Sequence, residues 1–119
     1  NQIEYTAADG QAYLWYSGAE TLITGTWEVT ALSLDVGQVC YVYAPGSFGP
    51  EDLGSTFCWS YEELLRDIPE SGVREGDPYA LASGNLPFVL PFDRVVSVES
   101  LQERFPDQPP ERACGLLMM

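Results

Sequence analysis

The chain contains no histidine and no lysine, and its only basic residues are five arginines. Without an imidazole there is no Ser-His-Asp triad, no Cys-His dyad and no histidine metal ligand. Without a lysine there is no Schiff base and no Walker-type phosphate contact. What survives is a carboxylate pair of the glycoside-hydrolase kind or a lone activated cysteine. Glu62 and Glu63 are adjacent, so they point in different directions on a helix or a strand and make a poor acid–base pair. No other constellation meets the requirements of a catalytic site, and the expectation is a protein that is not an enzyme and carries no cofactor. Cysteine is scarce as well: three residues with no C-x-x-C spacing and no histidine leave no structural zinc site. No apolar run approaches the length of a membrane span, so no membrane insertion is expected.

What is present is acid. Eighteen acids against five bases give a net charge of −13, and residues 1–65 hold nine acids and no base before the first arginine, Arg66. Such a surface repels nucleic-acid phosphates and anionic lipid, and attracts a cationic protein or Ca²⁺. Asp9, Glu51, Asp52, Glu75 and Asp77 are the acids available to calcium, but no twelve-residue calcium-loop spacing is present, and no metal is expected. The bland alternative is that the charge only keeps the protein soluble. A length of 119 residues, 45% of them hydrophobic, fits a single domain, 1–119, with one buried core. A chain that opens on Asn1 rather than Met reads as a mature exported protein or a shortened form.

The pattern along the chain is that of strands. Residues 2–6 alternate and run into Asp9-Gly10, a favoured hairpin turn pair, and 11–17 follow as a second strand. There Tyr13 and Trp15 share one face, Leu14 and Tyr16 the other. In 21–32, Ile23, Gly25, Trp27 and Val29 oppose Thr24, Thr26 and Glu28, which places Trp27 in the core and marks Gly25 as a bulge or a close approach. Residues 38–44 are the strongest strand signal, and "TFCWSY" is a fifth strand after the loop 45–55. Ser60 and Glu63 have capping-box spacing and predict a short helix ended by Pro69. Residues 69–85 read as an extended surface loop. Residues 86–96 carry Pro87 and Pro91, hence an edge strand or an extended segment packed on the core. A last helix starts at Ser97 or Ser100, with Ser100 and Glu103 at box spacing, and ends before Pro106. The tail is irregular until its final apolar residues, a partner surface if exposed and the last piece of core if buried. The expected fold is α+β, mainly antiparallel β: a five- to six-stranded meander, bent into a half-barrel or curled sheet, with two short helices.

Cys40 and Cys58 lie in predicted strands, whereas Cys114 lies in the irregular tail, so Cys40–Cys58 is the favoured disulfide. Cys114 is left to replace either partner, stay a buried thiol, or cross-link two chains. A disulfide implies an oxidising compartment, periplasmic or secreted.

The order Asp9-Gly10, a strand with Trp15, Gly25-x-Trp27-x-Val29, Val39-Cys40-Tyr41 and Cys58-Trp59 resembles a loose pattern in small secreted bacterial proteins of unknown function. The resemblance covers residues 3–60 and implies an exported antiparallel β-meander with a disulfide across neighbouring strands. It brings no catalytic residues with it. The meander with Gly-x-Trp is also lipocalin-like, although a lipocalin barrel needs about eight strands.

The functional expectation is a non-catalytic exported interaction or binding module of the acidic inhibitor or immunity type, whose protein partner is cationic. Its candidate contact residues are Phe48 and Leu53 on the loop 45–55, with Tyr79 on the loop 69–85, because aromatic anchors on Gly/Pro-rich loops build small hot spots. The alternative for Phe48 and Leu53 is that both fold back on the core. The alternative is a small apolar-ligand carrier with a cavity lined by Trp15, Tyr16, Trp27, Tyr41 and Tyr43.

Overall fold

Asp9 and Gly10 build the first turn of the chain, in a computed structural model that describes residues 1–34, 36–68, 73–104 and 115–118. Gly10 takes φ +90, which a side chain disfavours, and its N–H donates to the Ala7 carbonyl (3.1 Å), while Asp9 accepts from the Gln11 N–H (3.0 Å). The turn joins β1 (Gln2–Ala7) to β2 (Gln11–Tyr16), and β3 (Ile23–Ala31), β4 (Gly37–Tyr43) and β5 (Ser55–Ser60) continue an antiparallel meander.

Beyond β1 the sheet goes on. β7 (Gly115–Met118) pairs with β1, and β6 (Val73–Glu75) pairs with β7, so the order among the described residues is β5-β4-β3-β2-β1-β7-β6, seven strands and antiparallel throughout. β6 falls in what reads as a surface loop, and at three residues it is too short for an alternating pattern to show. The sheet is open and not curled, which corrects the half-barrel expectation: the order runs from a β5 edge to a β6 edge without closing.

Both faces of the sheet carry apolar clusters. On one, Ile3, Tyr5, Ala7 and Trp15 meet Leu81, Leu90 and Leu101 from the segment after β6. The last three leucines are fully buried, each contributing about 1.5–3 kcal/mol of transfer free energy. The Trp15 indole N–H donates to the Phe88 carbonyl (2.8 Å), so its polar edge is satisfied in the core. Residues 86–96 form no strand; with Pro87 and Pro91 unable to donate to a ladder, the segment lies extended and plugs Leu90 into this cluster. Asn1 fastens it, donating to Pro91 and Arg94 carbonyls and accepting from the Val96 N–H. Buried Asp77 accepts from the Leu81 and Ala82 N–H groups and starts a 3₁₀ turn, Leu81–Ser83.

The helices are short. α1 (Tyr61–Asp67) begins with the Ser60–Glu63 capping box, both reciprocal bonds being formed. α2 (Val98–Arg104) is entered through Ser97, whose hydroxyl accepts from the Ser100 N–H while Ser100 Oγ accepts from the Ser97 N–H. Ser100 is therefore inside the helix, and the Ser100–Glu103 box is not the one used.

Cys40 and Cys58 are directly opposed on β4 and β5, their Cα atoms 4.1 Å apart, and form a disulfide. This suggests an oxidising, extracytoplasmic environment. Cys114 lies outside the described residues. No helix among the described residues is long and apolar enough to cross a membrane.

Candidate functional site

The second face of the sheet carries the chain's aromatic surplus. Alternation along β4 and β5 puts Tyr41 opposite Phe57 and Val39 opposite Trp59, with Tyr43 on the same face. Across β3 and β2 the residues in line with Tyr43 are Gly25 and Ala12, the smallest side chains on that face. The tyrosine rings lean over this lane toward β1. Tyr43 donates to Glu4 Oε1 (2.8 Å), and the Tyr41 hydroxyl shares a hydrogen bond with Thr6 Oγ1 (3.2 Å).

Phe48 closes the cluster from the loop between β4 and β5. Its ring stands edge-on to Tyr43 (5.6 Å), Tyr16 (5.9 Å) and Phe57 (6.0 Å). Asp52 shapes that loop by accepting from the N–H groups of Gly54 and Phe48 and from the Ser55 hydroxyl. These bonds, the Gly54 N–H first, hold the Asp52 carboxyl below its ordinary range.

Two adjoining hollows open on this face and share Gln2, Glu4, Tyr41 and Trp59. One, about 260 Å³, is closed by Glu63, Leu64, Asp67 and Ile68 around α1 and by Met118 of β7. The other, about 210 Å³, is walled by Leu14, Tyr16, Tyr43, Phe48 and Phe57. Together they form an aromatic cleft around one buried acid. Glu4 is 7% exposed, and burial pushes its carboxyl up to about 7, against the lowering effect of the Tyr43 hydrogen bond. Burial also pushes the Tyr41 hydroxyl up to about 12 and raises Tyr43, next to the Glu4 charge, further still. Both tyrosine hydroxyls thus stay neutral over the whole physiological range, and Tyr43 is the donor to Glu4.

The residues singled out in the sequence do not all meet here. Tyr16, Tyr41 and Tyr43 line the cleft. Trp15 belongs to the opposite face, and Trp27 is only half-buried, packed against the cluster of Ala12, Leu14, Ile23, Tyr41 and Tyr43 with its indole N–H donating to the Ala7 carbonyl (2.6 Å). Phe48 lines the cleft, Leu53 is 92% exposed beside a shallow hollow on the other face, and Tyr79 packs edge-on against Trp15 at 6.1 Å. Phe48, Leu53 and Tyr79 therefore form no joint surface. Among the acids weighed for calcium, Asp9, Asp52 and Asp77 are each engaged by backbone N–H groups.

Glu4, Phe57, Trp59 and Asp67 are not residues the sequence singles out for binding, and Glu63 stands out there only as a helix cap and half of a poor acid–base pair. Phe57 and Trp59 were legible: flanking Cys58 at i and i+2, they must share the face opposite the disulfide. Glu4 was not, because a strand acid at an alternating position looks like a solvated one until its neighbours across the sheet are known. Comparison with protein-family models, curated proteins and solved structures finds no match.

Proposed function

We propose that this chain is a non-catalytic binding module of the periplasm or extracellular space, an acidic inhibitor or immunity-type protein that engages a cationic protein partner through the aromatic cleft. It would stand with the small secreted bacterial meander proteins that its Asp-Gly, Gly-x-Trp and Cys-Trp pattern resembles. The observation that carries the reading is the cleft itself: the partly exposed rings of Tyr16, Phe48, Phe57 and Trp59 around a buried acid, on a chain of net charge −13, with no basic side chain lining either hollow among the described residues. Aromatic residues in partly desolvated pockets supply most interface energy, and charge of one sign steers the opposite partner in. Shape favours this over the carrier reading. The cleft is two adjoining open hollows of about 260 and 210 Å³ rather than one enclosed cavity, and of the five residues expected to line a carrier cavity only Tyr16, Tyr41 and Tyr43 face it. Hollows of that size admit side chains.

The test is capture by the immobilised, oxidised chain from an extracytoplasmic extract. A basic protein should be retained at low salt, released as ionic strength rises, and lost when Phe48→Ala or Trp59→Ala is used, but retained by Leu53→Ala. Capture indifferent to salt and to both cleft substitutions refutes the reading.

A further inference from the structure

We propose that the cleft takes an arginine side chain of the partner, its guanidinium seated on the half-exposed Trp59 ring beside Tyr41 and paired with the Glu4 carboxylate. This rests on the cleft being the partner-binding surface, and it names what that surface reads.

Three observations select arginine. The first is the state of Glu4. Tyr43 occupies one carboxyl oxygen at 2.8 Å. No buried side-chain polar atom among the described residues lacks a partner, so the second oxygen is open to solvent on the face where Glu4 lines both hollows. An acid so enclosed ionises at a cost, and an arriving cation removes that cost. The second is the wall. Ring faces attract a cation within about 6 Å of the centroid, and guanidinium, planar and weakly hydrated, stacks on them and leaves water more readily than an ammonium. The third is the rim. Glu63, on α1, adds negative charge at the mouth of the same hollow; Asp67 beside it is paired with Arg66 at 3.0 Å, and no basic side chain lines the hollow among the described residues. A volume of about 260 Å³ suits one such side chain.

The experiment is a two-dimensional NMR titration of the oxidised full chain with a blocked peptide bearing one arginine among glycines. The same peptide with lysine, and with citrulline, the neutral isostere of arginine, runs beside it. The arginine peptide should shift signals of Glu4, Tyr41 and Trp59 and bind at least about tenfold more tightly than the citrulline peptide. Glu4→Gln retains the size of the side chain and an acceptor for Tyr43, and should bring arginine down to the citrulline level. Trp59→Ala removes a ring wall without touching the buried carboxyl, and should weaken the arginine peptide while the chain still melts cooperatively.

Equal binding of arginine and citrulline overturns the proposal, as do shifts confined to another surface, and lysine binding as well as arginine overturns the choice of guanidinium. If partner capture is lost with Trp59→Ala and Phe48→Ala while arginine and citrulline peptides bind alike, the arginine assignment falls and the cleft remains the partner surface. If capture survives both substitutions, it is the broader reading that falls.

Discussion

Tyr43 on β4 donates its hydroxyl to Glu4 on β1 at 2.8 Å, across the two strands between them. The bond ties the middle of the sheet to the edge of the original meander and fixes where the cleft's one buried acid points. It also makes stability depend on pH. Glu4 ionises at about 7 in the folded chain against an ordinary 4.5, burial being the cause. Between these values the folded chain keeps a proton that the unfolded chain has lost, so stability falls as pH rises through the window and levels above it.

Glu4→Gln removes that dependence. Relative to the native chain the variant should gain stability from about pH 5 to pH 8, by up to about 3 kcal/mol, the equivalent of the shift. Repulsion among the other acids, Glu63 and Asp67 included, changes in both chains alike, so the difference isolates Glu4. Urea unfolding at a series of pH values checks it, and a difference that stays flat across the range would sink the assignment.

Phe48 and Leu53 sit on the same loop and should behave differently. Phe48 is 39% exposed but packs on three rings, so Phe48→Ala should cost about 1–2 kcal/mol and loosen the loop over the cleft. Leu53 is 92% exposed, and Leu53→Ala should fall within about 0.5 kcal/mol of the native chain. Chemical denaturation of both variants at one pH tests the pair, and equal losses would contradict the packing.

The Cys40–Cys58 bond pins the outermost strand on the cleft side, the strand that carries Phe57 and Trp59. With a sequence separation of 18, the chain-entropy model assigns the bond about 3 kcal/mol. Cys40→Ser with Cys58→Ser, or reduction, should therefore lower stability by about 2–4 kcal/mol and weaken binding in the cleft as β5 frays. An Arg-specific digest gives the pairing directly, since both cysteines fall in peptide 1–66 while Cys114 falls in 113–119. An unreduced 113–119 peptide that runs attached to 1–66 contradicts it.

What could be read in the sequence followed local rules. The Asp9-Gly10 turn, the strand period of β1 to β5 and the Ser60–Glu63 cap are decided by residues within a few positions of each other, and all are found as the pattern implies. The misses are non-local. β7 pairs with β1 from the far end of the chain, and no pattern in "GLLM" announces which edge it will meet. The sequence likewise assigns Trp15 and Tyr43 to strands without telling that the sheet is covered on both faces, so that Trp15 leaves the cleft and Tyr43 enters it. The cleft assembles residues from β1, β2, β4, β5, β7, α1 and a loop, and Glu4 acquires its environment only when those meet.

Gly25 tests that assembly from below. An alanine in a strand interior ordinarily stabilises by about 0.5–1 kcal/mol relative to glycine, because it restricts the unfolded chain. At position 25 the sign should reverse. A Cβ there would run into the Val42 carbonyl and come within 2.8 Å of Tyr43 Cδ1, where the tyrosine ring lies across the bare backbone. The carbonyl belongs to the β3–β4 ladder and the ring is held at its far end by Glu4, so neither gives way without loss. Gly25→Ala should destabilise the chain by about 1–3 kcal/mol and disturb the Glu4 and Tyr43 signals together. Urea unfolding and side-chain NMR of the variant check both parts. A variant as stable as the native chain would mean that Tyr43 does not lie across β3 in solution, and the cleft would lose the donor that positions its acid.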